Sequence, residues 1–226
     1  MDPGQIKRVW LRQIVFVPVF FALLLAPAGS LDYWQGWLYG ALFFVTTTGI
    51  GIYFLKHDPR ALERRMKVGP AAEREPTQKI IITVILAGLV LLLIIPGFDH
   101  RWHWSQVPTW LVLTSDALVV LSLIGTAVVV RQNSYAASTV TVEAGQPVVS
   151  TGLYAIVRHP MYSAALILTG FTPLALGSYW GLLVIVPIIA TLAWRLLDEE
   201  RVLKRDLPGY LDYCRRVRFR LVPGLW

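Results

Sequence analysis

The sequence predicts an all-α integral membrane protein that crosses the bilayer about six times, and three observations carry that prediction. Hydrophobic residues are 55% of the 226 residues and charged ones 15%, against roughly a quarter charged in soluble domains. Mean hydropathy is +0.56, more apolar surface than one soluble core of this size can bury. The apolar residues also gather into five long stretches, with basic residues clustered between alternate ones, the pattern of a multi-pass protein oriented by its cytoplasmic charge.

The first stretch, residues 14–29, follows Arg12, whose side chain can snorkel to the interface. The second (33–55) and third (80–98) carry no charge, and the fourth (107–130) carries one, Asp116. The fifth runs uncharged from 161 to 194, too long for one crossing of about 20 residues. Gly177-Ser178 near its middle predicts a turn. A helical hairpin follows, with arms 162–176 and 180–197. At about 1.5 Å per residue the arms rise roughly 22 and 27 Å, short of a ~30 Å hydrocarbon core.

With six spans, twenty of the 21 Lys and Arg residues fall on one side: three before the first span, seven in the 56–79 loop, Arg131 and Arg158, and eight from Arg195 to Arg220. Only Arg101 lies opposite. Both termini are therefore expected in the cytoplasm. Lys7-Arg8, an apolar run and Ala26-Pro27-Ala28 resemble a cleavable signal peptide, but losing that span would break the charge alternation, so it is expected to be retained.

Other features have modest readings. Gly36-x-x-x-Gly40 is expected to be a helix-packing face, and the tryptophans near span ends to be interfacial anchors. Asp116 is expected to make a structural hydrogen bond. The net charge of +7 reads as topology and headgroup contact rather than nucleic-acid binding. One cysteine, Cys214, excludes an internal disulfide and CxxC zinc ligation, and His100 with His103 makes a poor metal site, so no metal is expected. The residues are silent on oligomeric state.

Polar residues that topology does not explain gather after the fourth span. Residues 131–160 include Asn133, Glu143, Tyr154, Arg158 and His159, with turn signals at Gly145-Gln146-Pro147 and Thr151-Gly152; Val140, Val142, Val148 and Val149 could form short extended pieces. The chain then re-enters the membrane at Pro160, where a missing N–H costs nothing in a first helical turn. The hairpin returns at Arg195-Leu196-Leu197-Asp198-Glu199-Glu200. Arg195 and Glu199 share a helical face, while Glu200 is rotated by about 100°. Arg158, His159 and Tyr162 are thus expected beside Arg195, Glu199 and Glu200. The chain divides into an N-terminal membrane region, 1–130, and a region carrying the chemistry, 131–226.

Gly152-Leu153-Tyr154, Arg158-His159-Pro160-Met161-Tyr162, an apolar hairpin, Glu199-Glu200 and Gly209-Tyr210 with Tyr213 resemble the isoprenylcysteine carboxyl methyltransferases and, more loosely, the phospholipid methyltransferases. The resemblance covers roughly residues 131–224. It implies S-adenosyl-L-methionine as cofactor, held in a cytosol-facing pocket, and a lipophilic acceptor from the lipid bilayer. It assigns cofactor contact to Thr139, Gln146, Pro147, Val148, Val149, Tyr154, His159, Pro160, Met161, Tyr162 and Glu200. Arg195, or else Arg158, would hold an acceptor carboxylate. Physical chemistry fits these roles: Glu200 can pair with the cofactor ammonium, and His159 and Tyr162 can hydrogen-bond its carboxylate or ribose. A carboxylate acceptor needs no general base, whereas an amine or phenol would need Glu199 or His159. The competing readings are an NADPH-dependent sterol-type membrane reductase, which lacks the Glu-Glu placement, and a small transporter.

Overall fold

The computed structural model describes residues 3–66, 68–73, 75–136, 142 and 145–226, with residues 3–13 as backbone alone. Thr139, Val140 and Glu143, and the side chains of Lys7, Arg8 and Arg12, lie outside the described residues. The described chain forms eight α-helices and no strand: α1 (Pro3–Ala28), α2 (Trp34–His57), α3 (Pro59–Met66), α4 (Pro76–Trp102), α5 (Thr109–Gln132), α6 (Pro160–Ala175), α7 (Ile185–Asp206) and α8 (Tyr210–Arg216). Short 3-10 turns precede α4, α6 and α7. Val142, Val148 and Val149 therefore form no β-structure.

Four helical segments are long and apolar enough to cross a membrane: α2, α4, α5, and Trp180–Asp206, which joins a 3-10 turn to α7. Residues 14–28 of α1 form a shorter apolar helix. α6 has 16 residues, a rise of about 24 Å. Helical structure is what an apolar environment demands, because each backbone N–H must find its carbonyl within the segment.

The helices pack where small residues let them approach. A Cβ on Gly40 would stand 2.5 Å from the Phe21 ring, and one on Gly36 2.9 Å from Leu24, so the Gly36/Gly40 face of α2 seats α1. Phe20, Leu24, Tyr39 and Leu176 form a buried cluster there. The turn expected at Gly177-Ser178 is present: the Ser178 N–H donates to the Pro173 carbonyl at 2.8 Å, and its hydroxyl donates to Asp99 on α4. Tyr33 donates to the Leu176 carbonyl at 2.6 Å, tying α2 to the same end of α6.

Asp116 requires a correction. It is buried on α5, but among the described residues neither carboxylate oxygen has a hydrogen-bond partner. Among the described residues the expected structural bond is therefore not formed.

The opposite end of the bundle positions the site. Asp58 at the end of α2 accepts the Ala61 N–H at 3.0 Å and the Ser134 hydroxyl at 2.6 Å, so α3 is held against the end of α5. Ala61 packs there with Phe54 and Val130. The loop between α2 and α4 thereby folds across the bundle rather than away from it.

Candidate functional site

A cavity of about 360 Å³ opens at this end, bounded by α3, α4, α6, α7, α8 and the segment before α6. Its walls have two characters. Ile82, Ile85, Leu86 and Leu89 of α4, with Ala165 of α6 and Leu192 of α7, form an apolar half. Asn133, Gln146, Tyr154, Arg158, His159, Tyr210 and Tyr213 form a polar half, with apolar Pro147, Val148 and Val149 among them. The α7 residues Leu192, Arg195, Glu199, Val202 and Leu203 line it as one stripe, the 3–4 spacing of a single helical face. Its charged members, Arg195 and Glu199, stand between apolar Leu192 and the Val202-Leu203 pair.

The residues before α6 are held in place one by one. Gly152 has φ +61°, and a Cβ there would meet the Gln132 side chain at 2.5 Å. Only glycine fits a left-handed position under that side chain, whose carbonyl oxygen accepts the Leu153 N–H at 3.0 Å. Tyr154 follows, fixed by Asn133 at 3.4 Å on its hydroxyl and by the Tyr213 hydroxyl donating to its carbonyl at 2.7 Å. Burial pushes the Tyr154 phenol up to about 12, so it remains a neutral donor. The Arg158 and His159 N–H groups donate to the Phe219 and Arg220 carbonyls at 2.9 Å each. Pro160 then opens α6.

The structure brings together the two groups expected to meet. The Tyr162 hydroxyl donates to Glu199 at 2.6 Å. Arg158 lies 3.2 Å from Glu200 and His159 Nε2 3.4 Å from it. Gln146, Pro147, Val148, Val149, Tyr154, His159, Pro160, Met161, Tyr162, Arg158, Arg195 and Glu199 all line the cavity.

Glu200 does not. It is 2% exposed and sits behind the wall, ion-paired with Arg158, Lys204 at 3.3 Å and Arg220 at 3.3 Å as well as facing His159. The rotation of about 100° from Glu199 carries it off the cavity stripe, so Glu199 is the carboxylate the cavity wall presents. Arg195 also differs from expectation. It lines the cavity, but it is buried in an ion pair with Glu73 at 2.9 Å, so any anion it binds shares it with that carboxylate.

Sequence reasoning missed four contributors. Arg65 of α3 lines the cavity and touches the Met161 sulfur at 3.0 Å. Glu73 holds Arg195, and Arg220 holds Glu200. These come from segments with no local signal for the site. Tyr210 lines the cavity with its ring buried; it stands in the quoted Gly-Tyr motif, which was the one available signal. Among the described residues no three His, Cys, Asp or Glu side chains converge to hold a metal ion.

A bundle of apolar helices, four of its segments long and apolar enough to cross a membrane, with a cavity at one end lined by both apolar and polar side chains, defines a class, a multi-pass membrane protein. The comparisons sharpen it. The phospholipid methyltransferase family model matches residues 110–207, from the start of α5 to the end of α7, so that segment is similar to a membrane methyltransferase domain. The resemblance read from the motifs is thus shown there. The chain is also 26% identical over 165 residues to the cobalt-zinc-cadmium resistance protein CzcN of Cupriavidus metallidurans, covering 70% of this chain and 68% of that protein.

Proposed function

We propose that this protein is an S-adenosylmethionine-dependent methyltransferase acting on a lipophilic acceptor, with a carboxylate the favoured acceptor group. The observation that carries the reading is the cavity's division into a polar and an apolar half within and around the matched segment. When bound, the cofactor supplies an electrophilic methyl group on a sulfonium. The residues fit it: backbone groups of Gln146–Val149 take the adenine edge, His159 and Tyr154 the ribose, and Glu199 the ammonium. The apolar half takes the acceptor's tail, which reaches it laterally from the bilayer, since Leu89 both lines the cavity and is exposed on α4, a helix long and apolar enough to span. Arg195 and Arg65 line the same cavity, suited to an anionic head. With such a head already ionised, catalysis needs alignment and exclusion of water rather than a base.

The six-span topology, with both termini in the cytoplasm, belongs to the same proposal. It places the polar half where a water-soluble cofactor arrives. The direct test is calorimetry on the detergent-solubilised protein. S-adenosylhomocysteine is expected to bind and NADPH not to; binding of NADPH alone would overturn the methyltransferase reading in favour of a reductase.

A further inference from the structure

The buried pair of Arg195 and Glu73 ties the cavity to a part of the chain outside the segment that the family model matches. Arg195 lines the cavity, whereas Glu73 is 5% exposed and holds Arg195 at 2.9 Å from outside the lining. Glu73 follows the 3-10 turn Pro70–Ala72 and donates its N–H to the Pro70 carbonyl at 3.4 Å. The start of α4, just beyond, is tied to α7 separately by Gln78 donating to Asp198. The fold itself, and not the ion pair alone, therefore keeps this carboxylate beside Arg195. Arg195 also hydrogen-bonds the Tyr162 hydroxyl, and Arg65 in the same wall is near enough to repel it. Glu73 thus offsets one of two neighbouring cations that an anion entering the cavity would meet.

We infer that Glu73 is a specificity-determining residue of the acceptor site: by offsetting Arg195 from outside the lining, it makes binding of an anionic head conditional on an apolar tail. The inference rests on the proposed function, with Arg195 as a cation for the acceptor's head, and deepens it. A guanidinium without a counter-charge presents a fork that suits any small carboxylate or phosphate. With Glu73 behind it, Arg195 can still orient an incoming head by hydrogen bonds. Its net attraction is small, because the two opposite charges largely cancel at a third group. Affinity then comes from the tail, which Ile82, Ile85, Leu86 and Leu89 receive with a gain that grows with each buried CH₂. Short soluble carboxylates are turned away and long-tailed ones admitted. Glu73 acts through Arg195 and is a positioning residue.

The test is a scintillation-proximity binding assay on the full chain in detergent, with S-adenosylhomocysteine present. Labelled hexadecanoate and hexadecanol share a tail and differ in head charge; unlabelled hexanoate, with the same head and a short tail, is the competitor. The parent is expected to bind the two long ligands within about threefold of each other, and hexanoate not to displace hexadecanoate. Glu73→Gln removes the charge and keeps an acceptor for Arg195. It is expected to tighten hexadecanoate about tenfold, leave hexadecanol unchanged and let hexanoate compete, while Glu73→Asp keeps the parent's pattern. A bracing role alone would weaken both long ligands together, and a misfolded variant gains affinity for neither. The inference is wrong if Glu73→Gln fails to tighten hexadecanoate selectively. It is equally wrong if hexanoate displaces hexadecanoate from the parent, a result that needs no variant to fold. The methyltransferase reading survives either outcome as long as the parent binds S-adenosylhomocysteine; without that binding, the reading is lost and this inference with it.

Discussion

Glu200 shows how much turns on a single helical step. Four side chains converge on it at 3.2–3.4 Å: Arg158, His159, Lys204 and Arg220. A further ammonium would join a surplus of positive charge there, whereas Glu199 has one neutral partner, Tyr162. Glu200 therefore acts on a ligand through the residues it holds. Glu200→Gln is expected to destabilise the ligand-free protein by about 3–5 kcal/mol, because buried Arg158 loses its counter-charge, and to weaken S-adenosylhomocysteine at the same time. Denaturant unfolding in detergent checks the first effect and calorimetry the second. Lost affinity with unchanged stability would return Glu200 to direct cofactor contact. The motif marks two adjacent glutamates. Which of them faces the cavity depends on where α6 and the 218–221 segment lie around α7, and no local pattern encodes that.

At the scale of elements, α7 is the spine of the site and the loop between α2 and α4 is its brace. The α7 stripe was legible from the 3–4 spacing of Arg195 and Glu199. The brace was not: Glu73 stands 122 positions from Arg195, and its loop read only as a basic cytoplasmic segment. Here the pair is buried on both sides, with side-chain exposures of 7% and 2%. Breaking it by Glu73→Ala should cost about 3–5 kcal/mol, whereas replacing both partners by apolar side chains, Arg195→Met with Glu73→Leu, should be near neutral for stability. Unfolding of the single and double variants tests this, and a single variant as stable as the parent would show that the loop does not brace α7. Gln78 of α4 adds a second tie by donating to Asp198.

For the whole molecule, charge placement and site placement make the same demand. The cavity lies at the end of the bundle that carries the 56–79 loop and the segment after α7, where the basic residues cluster. Reporter fusions after Trp226 and within the 56–79 loop are expected to report a cytoplasmic location; a fusion after Trp226 found outside would overturn the six-span topology. A second, apolar cavity of about 200 Å³ adjoins the first across Tyr162 and Leu192, closed by Leu221, Val222, Leu225 and Trp226. The 218–226 segment thus touches both, by its main chain at Arg158 and His159 and by its side chains here. By itself the sequence determined the membrane class, the long apolar helices, the hairpin turn and the motif residues, because hydropathy, helical period and glycine conformation act over a few neighbouring residues. Tertiary structure alone decided which carboxylate faces the cavity and which cation is already paired. Those outcomes depend on partners far apart in the chain, and burial gives each pairing its energy only once the helices have met.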